Sequence, residues 1–124
     1  MLERFRAFWT AVFDPVLDGR RLVAVLSVLD DKDAAAMLSE LLPLCAGGIA
    51  TSTANPRTLP PATLRSLAAQ IAPEVIFRVE PDPRRALARA RELTGPDGVV
   101  LATGSLYLLA DLMRPAGARP GSAL

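Results

Sequence analysis

Histidine is absent from this 124-residue sequence, which also contains a single cysteine and a single lysine. Without histidine the chain lacks the commonest general base and metal ligand, and one thiol cannot form a zinc-binding cluster. We therefore expect no metal site in this chain. Because Cys45 has no second cysteine to pair with, an internal disulfide is excluded, which fits a reducing compartment.

Long hydrophobic runs and an excess of charge are missing as well. No apolar run approaches the ~18 residues that are needed to span a bilayer. Charged residues at positions 3, 4 and 6 interrupt the N-terminal stretch too early for a secretory signal. The formal net charge is only +1, so nothing indicates nucleic acid or anionic lipid as a partner. The sequence predicts a cytoplasmic protein that binds neither nucleic acid nor membranes.

Short apolar segments and helical patterns alternate along the chain. The apolar segments at residues 22–29, 49–51, 75–79 and 99–103 predict strands that are buried on both faces, as in parallel sheets. An amphipathic helix is predicted over residues 2–13, and another helix after each strand. The pattern predicts a three-layer, Rossmann-like α/β domain with a mainly parallel sheet of at least four strands and helices on both faces. This domain covers residues 1–114, and residues 115–124 are predicted to form a flexible tail.

Each helix that follows a strand begins with a recognisable start signal. Asp33, Asp82 and Ser105 are side chains that accept hydrogen bonds from the first turn of a helix, and the Pro60-Pro61 pair suits a first turn. After Ser105, three large apolar residues recur at helical spacing: Leu106, Leu109 and Met113.

Most of the polar loop residues follow the strands rather than precede them. In a parallel sheet the carboxyl ends of the strands share one edge, and ligands bind in the crevice beyond it. Residues 30–33, 51–57, 80–82 and 103–105 fall at this edge and carry most of the hydroxyls and loop charges. The loops at the opposite edge have the composition of plain turns, so the carboxyl edge is the predicted functional edge.

Three short motifs at this edge carry a family resemblance. Residues 103–108 (Thr-Gly-Ser-Leu-Tyr-Leu), 31–33 (Asp-Lys-Asp) and 53–57 (Thr-Ala-Asn-Pro-Arg) resemble the C-terminal domain of folylpolyglutamate synthase/dihydrofolate synthase. That family belongs to the Mur-ligase type of ATP-dependent amide-forming enzymes. The resemblance extends from about Leu22 to Met113.

The resemblance implies a reaction, substrates and a partner domain. In the family, ATP and Mg²⁺ are held mainly by a P-loop central domain, and ATP phosphorylates a carboxylate of the folate substrate. The amine of glutamate then attacks the acyl phosphate. By this resemblance the partner is the P-loop domain of the same ligase, and the small-molecule substrates are glutamate and folate.

The motifs also imply site residues. Lys32 and Ser105 are expected nearest the incoming glutamate, Lys32 as a point charge for a carboxylate and Ser105 as a hydroxyl beside helix N–H groups. Asp31, Asp33, Asn55 and Arg57 are expected on the rim of the same cleft. No catalytic residue is expected within this chain.

Two family features are missing from the sequence. There is no Gly-x-x-x-x-Gly-Lys-Ser/Thr motif, hence no phosphate cradle, and the family's Asp-Gly-Ala-His-Asn-Pro segment on the preceding strand is absent. We therefore expect a domain that lacks its first strand and is a fragment not competent alone. The alternative is a stand-alone, non-catalytic α/β module for interaction or nucleotide sensing. Dihydrofolate synthesis and polyglutamate extension both stay open as the reaction served.

Overall fold

The computed structural model describes residues 19–30 and 33–114, which contain one parallel sheet of four strands. The strands are β1 (Leu22–Leu26), β2 (Gly47–Ala50), β3 (Ile76–Val79) and β4 (Val99–Thr103). Their spatial order is β3-β2-β1-β4, and each of the three pairings is parallel. All five residues of β1 are buried, because this strand has a neighbour on either side and helices on both faces. The predicted α/β class with a parallel sheet is confirmed.

Helices cover the two faces of the sheet. They are α1 (Ala34–Leu41), continued by a 3-10 turn at Leu42–Leu44, then α2 (Pro61–Ile71), α3 (Pro83–Thr94) and α4 (Leu106–Met113). Alternate residues of β1 point to opposite faces. Ala24 and Leu26 share a buried cluster with residues of α1 and α2, whereas Val23 and Val25 share one with residues of α3 and α4. The molecule therefore has the three layers that the sequence predicts.

The predicted helix starts are confirmed. The Asp33 carboxylate accepts a hydrogen bond from the N–H of Ala36 at 3.0 Å, and the Asp82 carboxylate accepts one from the N–H of Arg84 at 2.9 Å. Pro60 precedes α2 as predicted, and Gly95, with a φ of 75°, ends α3.

Four strand boundaries differ from the sequence prediction, and two of them, the end of β2 at Ala50 and the start of β3 at Ile76, differ by one residue only. β1 ends at Leu26 rather than Leu29, because Leu29 leaves the parallel sheet and forms an isolated antiparallel bridge with Thr58. β2 begins at Gly47, two residues before the predicted start. The ring of Phe77 on β3 packs against the backbone of Gly48, where a Cβ would lie 2.6 Å from it.

The leucine-rich helix α4 buries a different face from the one that the spacing suggests. Leu106 and Met113 are 82% and 83% exposed, and Leu109 is also exposed. The buried residues of this helix are Leu108, which packs with residues of β1, and Asp111; both are almost fully buried. Leucines occupy both sides of this short helix, so helical spacing alone does not identify its packed side.

Several predictions lie outside the described residues: the helix over residues 2–13, the positions of Asp31 and Lys32, and the tail over 115–124. Within the described part of the chain, no helix is long and apolar enough to cross a membrane.

Candidate functional site

The loops at the carboxyl edge are joined to one another by hydrogen bonds. The Oγ1 hydroxyl of Thr51, which is fully buried after β2, donates to the carbonyl of Pro81 at 3.2 Å. The N–H of Ser52 donates to the same carbonyl, also at 3.2 Å. These contacts hold the loop after β2 against the loop after β3, so the edge is a continuous surface.

The loop after β2 also pairs with the chain that continues β1. The N–H of Asp30 donates to the carbonyl of Arg57 at 2.8 Å, and the N–H of Leu59 donates to the carbonyl of Val28 at 2.8 Å. In addition, Nε of Arg57 lies 3.4 Å from Oδ1 of Asp30. Arg57, one of the predicted rim residues, is thus part of an ion pair with the residue that precedes Asp31.

Asn55, a second predicted rim residue, shapes the turn that carries Arg57. Its side-chain carbonyl accepts a hydrogen bond from the N–H of Arg57 at 2.9 Å, which is the self-bonding that makes asparagine common in turns. The hydroxyls of Thr53 and Thr58 are 2.6 Å apart and close the base of this turn. The Thr-Ala-Asn-Pro-Arg motif is therefore a folded turn with its own internal hydrogen bonds.

Ser105 lies at the junction between β4 and α4. Its hydroxyl oxygen accepts a hydrogen bond from the N–H of Tyr107 at 3.1 Å, so the predicted helix cap is confirmed. Gly104 before it has a φ of 107°, and a Cβ there would collide with the carbonyl oxygen of Ser27. Only glycine allows β4 to turn into α4 this close to the end of β1.

A cavity of about 520 Å³ opens beside this junction. We call it the Ser105 cavity. It is lined by Leu29, residues 103–107 and Leu109. The described lining has no charged side chain, and its polar groups are concentrated at the N-terminus of α4, where the helix dipole favours an anion.

The structure thus places the predicted site residues in different settings. Ser105 lines a cavity that also contains Leu29, and Leu29 precedes the Asp30–Arg57 ion pair. The carboxylate of Asp33 caps α1, and Asp33 is not among the residues that line the cavity. Asp31 and Lys32 lie outside the described residues.

Two residues of this edge were not selected from the sequence. Leu29 lines the Ser105 cavity, although its apolar side chain had suggested a strand interior. Asp111 is 4% exposed and lines a second cavity of about 450 Å³ together with Arg114, Asp82 and Thr53. Asp111 is the single charged residue of α4 and lies three residues after Leu108, and this position in the sequence could have singled it out.

The described residues contain no group of three or more histidine, cysteine, aspartate or glutamate side chains that could hold a metal ion.

The sheet order, the three layers and a polar carboxyl edge define a Rossmann-like α/β domain. In domains of this class, ligands usually bind beyond the carboxyl ends of the strands. Residues 5–106 match the family described as Mur ligase, glutamate ligase domain. The chain belongs to this family. No curated protein gives a significant match to the chain.

Solved structures of folylpolyglutamate synthases resemble the chain. The enzyme of Mycobacterium tuberculosis complexed with ADP has a TM-score of 0.65 and 27% identity, over 80% of this chain and 25% of that one. Escherichia coli FolC in complex with DHPP and ADP has a TM-score of 0.73 over 90% of this chain and 25% of that one; at 20% identity it supports the fold alone. The resemblance to the C-terminal domain of these synthases is confirmed, and the chain spans about a quarter of their length.

Proposed function

We propose that this chain is the glutamate-side domain of an ATP-dependent folate–glutamate ligase. In this proposal a carboxylate of the folate substrate is activated as an acyl phosphate and the amine of glutamate attacks it. The observation that carries the proposal is the Ser105 cavity at the carboxyl edge, where the capping hydroxyl and the N-terminus of α4 meet the loop after β1.

Ser105 can bind a carboxylate without losing its role as a cap. Its oxygen accepts from the N–H of Tyr107, while its own O–H stays available to donate to a carboxylate oxygen. The positive end of the α4 dipole adds a favourable interaction with a negative charge. We assign one carboxylate of glutamate to this position.

Lys32 is the proposed partner of the second carboxylate, as the single lysine of the chain and as part of the Asp-Lys-Asp motif. Asp31, Asp33, Asn55 and Arg57 stay proposed rim residues of the same cleft. Of these, the side chain of Asp33 caps α1 and that of Arg57 pairs with Asp30, so both already interact with other groups of this chain. The direct contacts with glutamate are therefore assigned to Ser105 and Lys32.

The phosphoryl step is not assigned to this chain. The sequence has no P-loop motif, and the described residues include no cluster suited to Mg²⁺. In the proposal, ATP and Mg²⁺ are held mainly by a P-loop domain, and the ligase acts in the cytoplasm. The two synthase structures named above are complexes with ADP, which supports nucleotide binding by ligases of this kind.

The test measures glutamate binding and ligation with the full chain, alone and mixed with a separately produced P-loop domain of the same ligase. We expect glutamate to shift the backbone amide resonances of residues 105–107, and glutamylated folate to form only in the mixture with ATP. Ser105→Ala is expected to weaken both effects. Ser39→Ala is its matched control, because the hydroxyl of Ser39 donates to the carbonyl of Ala35 within α1 and lies away from the cavity lining. Shifts confined to other surfaces, with no product in the mixture, would contradict the proposal and favour a non-catalytic module.

A further inference from the structure

A small antiparallel contact links the loop after β1 to the loop after β2. Residues 28–30 and 57–59 form it, and we call it the clamp. Two main-chain hydrogen bonds of 2.8 Å, from Asp30 to Arg57 and from Leu59 to Val28, flank the bridge between Leu29 and Thr58. The residues that pair in the clamp are 27 to 31 positions apart in sequence, so the clamp fixes one loop relative to the other.

The side chains of Arg57 and Asp30 reinforce the clamp. Nε of Arg57 lies 3.4 Å from Oδ1 of Asp30, and the two side chains are 53% and 55% exposed. The carboxamide of Asn55 accepts the N–H of Arg57, which holds the backbone of Arg57 in register with Asp30. The turn therefore places the guanidinium of Arg57 beside the carboxylate of Asp30, in the loop after β1.

Leu29 connects the clamp to the Ser105 cavity. Its backbone pairs with Thr58 inside the clamp, and the residue lines the cavity together with Ser105 and Tyr107. A shift of the clamp would move this wall of the cavity relative to the N-terminus of α4, which is anchored separately by Gly104 against Ser27.

We infer that Arg57 is a positioning residue: it acts through Asp30 and Leu29 on the shape of the Ser105 cavity and does not bind the substrate itself. The part that concerns glutamate rests on the proposed function. The part that concerns the cavity wall can be measured without any ligand.

The experiment uses the full chain and the variants Asp30→Asn, Arg57→Gln, the double variant and the charge swap Asp30→Arg with Arg57→Asp. Amide resonances of Leu29 and Tyr107 report the cavity wall, and titration with glutamate gives the dissociation constant. Arg85→Gln is the matched control, because Arg85 pairs with Asp82, its Nε and the carboxylate oxygen being 4.0 Å apart, on the surface of α3.

We expect each single variant to shift both resonances and to weaken glutamate binding roughly two- to fivefold, as for an exposed ion pair. The double variant is expected to bind glutamate no more weakly than the weaker-binding single variant, because each single change already breaks the Asp30–Arg57 pair. The charge swap is expected to restore the resonances and the affinity, and Arg85→Gln to leave both unchanged.

Additive losses in the double variant, without rescue by the swap, would overturn the inference in favour of direct substrate contact by Arg57. Unmoved resonances in all Asp30 and Arg57 variants would also overturn it. Coupled resonance shifts in a chain that does not bind glutamate would support the positioning role while the proposed function fails. Loss of glutamate binding in Ser105→Asp, with full binding in Arg57→Gln, would uphold the proposed function and overturn the inference.

Discussion

Substitutions of Ser105 distinguish its role as a helix cap from its proposed role as a substrate contact. Ser105→Ala removes the oxygen that accepts the N–H of Tyr107 at 3.1 Å. Loss of such a cap costs about 1 kcal/mol, which lowers the Tm of a domain of this size by about 4 °C. Ser105→Asp keeps a capping oxygen and places a negative charge at the positive end of α4, so we expect a stability close to that of the original chain.

The effect on glutamate is expected to be the reverse. A carboxylate at position 105 would face the carboxylate of the substrate at a separation of about 4 Å, where two like charges repel by roughly 1 to 4 kcal/mol. This corresponds to a loss of affinity of at least about fivefold. Ser105→Asn is the matched control, since asparagine has nearly the same shape as aspartate and caps helices equally well without a charge.

The measurements are thermal unfolding of each variant and the glutamate KM of the ligase reassembled with its P-loop domain. A KM that rises strongly for Ser105→Asp and only modestly for Ser105→Asn supports an anion at this position. A stable Ser105→Asp variant with an unchanged glutamate KM would refute the reasoning and leave Ser105 as a cap only. Equal losses for both variants would show that side-chain size, not charge, is responsible.

Three further predictions follow from the fold. Gly104→Ala should destabilise the chain by more than about 2 kcal/mol, because the new Cβ collides with the carbonyl of Ser27 and the backbone has a positive φ. Chemical denaturation measures this free energy of unfolding, and Gly95→Ala is the control, since Gly95 also has a positive φ but has open space around it. Burial raises the pKa of the Cys45 thiol from its ordinary value of 9.0 to about 12. Because the thiol ionises at lower pH in the unfolded chain than in the folded one, the folded state should lose stability as the pH rises above about 9. Cys45→Ala should remove this dependence in unfolding measured from pH 7 to 11. The exposed Leu106 and Met113 should promote self-association that Leu106→Lys reduces, so a monomeric original chain in light scattering at high concentration would contradict this prediction.

The fold could be predicted because its main signals are local. The capping side chain of Asp33 and the proline after Asp82 act within one helical turn, and the continuous apolar run of β1 needs only burial on both faces. The packed side of α4 could not be predicted in this way. Its leucines surround the helix, and the choice of Leu108 over Leu106 depends on how the helix crosses the sheet, which is a tertiary property.

The candidate site could be predicted only in part, because polar residues at a sheet edge have more than one use. The sequence motifs predict Asn55 and Arg57 as rim residues, but their spacing does not reveal the internal hydrogen bond of the turn or the ion pair with Asp30. The position of Leu29, an apolar residue, could not be predicted from the sequence either. It continues the hydrophobic run of β1, yet a partner 29 residues away along the chain draws it out of the sheet.

The charges around the Ser105 cavity explain why the proposed ligase needs more than this edge to bind glutamate. Glutamate has two carboxylates and an ammonium group, whereas the described lining of the cavity contributes hydroxyls, helix N–H groups and apolar side chains without a cation. The nearby guanidinium of Arg57 is shared with Asp30, so it does not supply a free positive charge. We therefore propose that Lys32 neutralises the second carboxylate, as the proposed function assigns. Binding to the isolated chain should accordingly be weak and sensitive to salt, and it should strengthen when the second domain closes over the edge and excludes water.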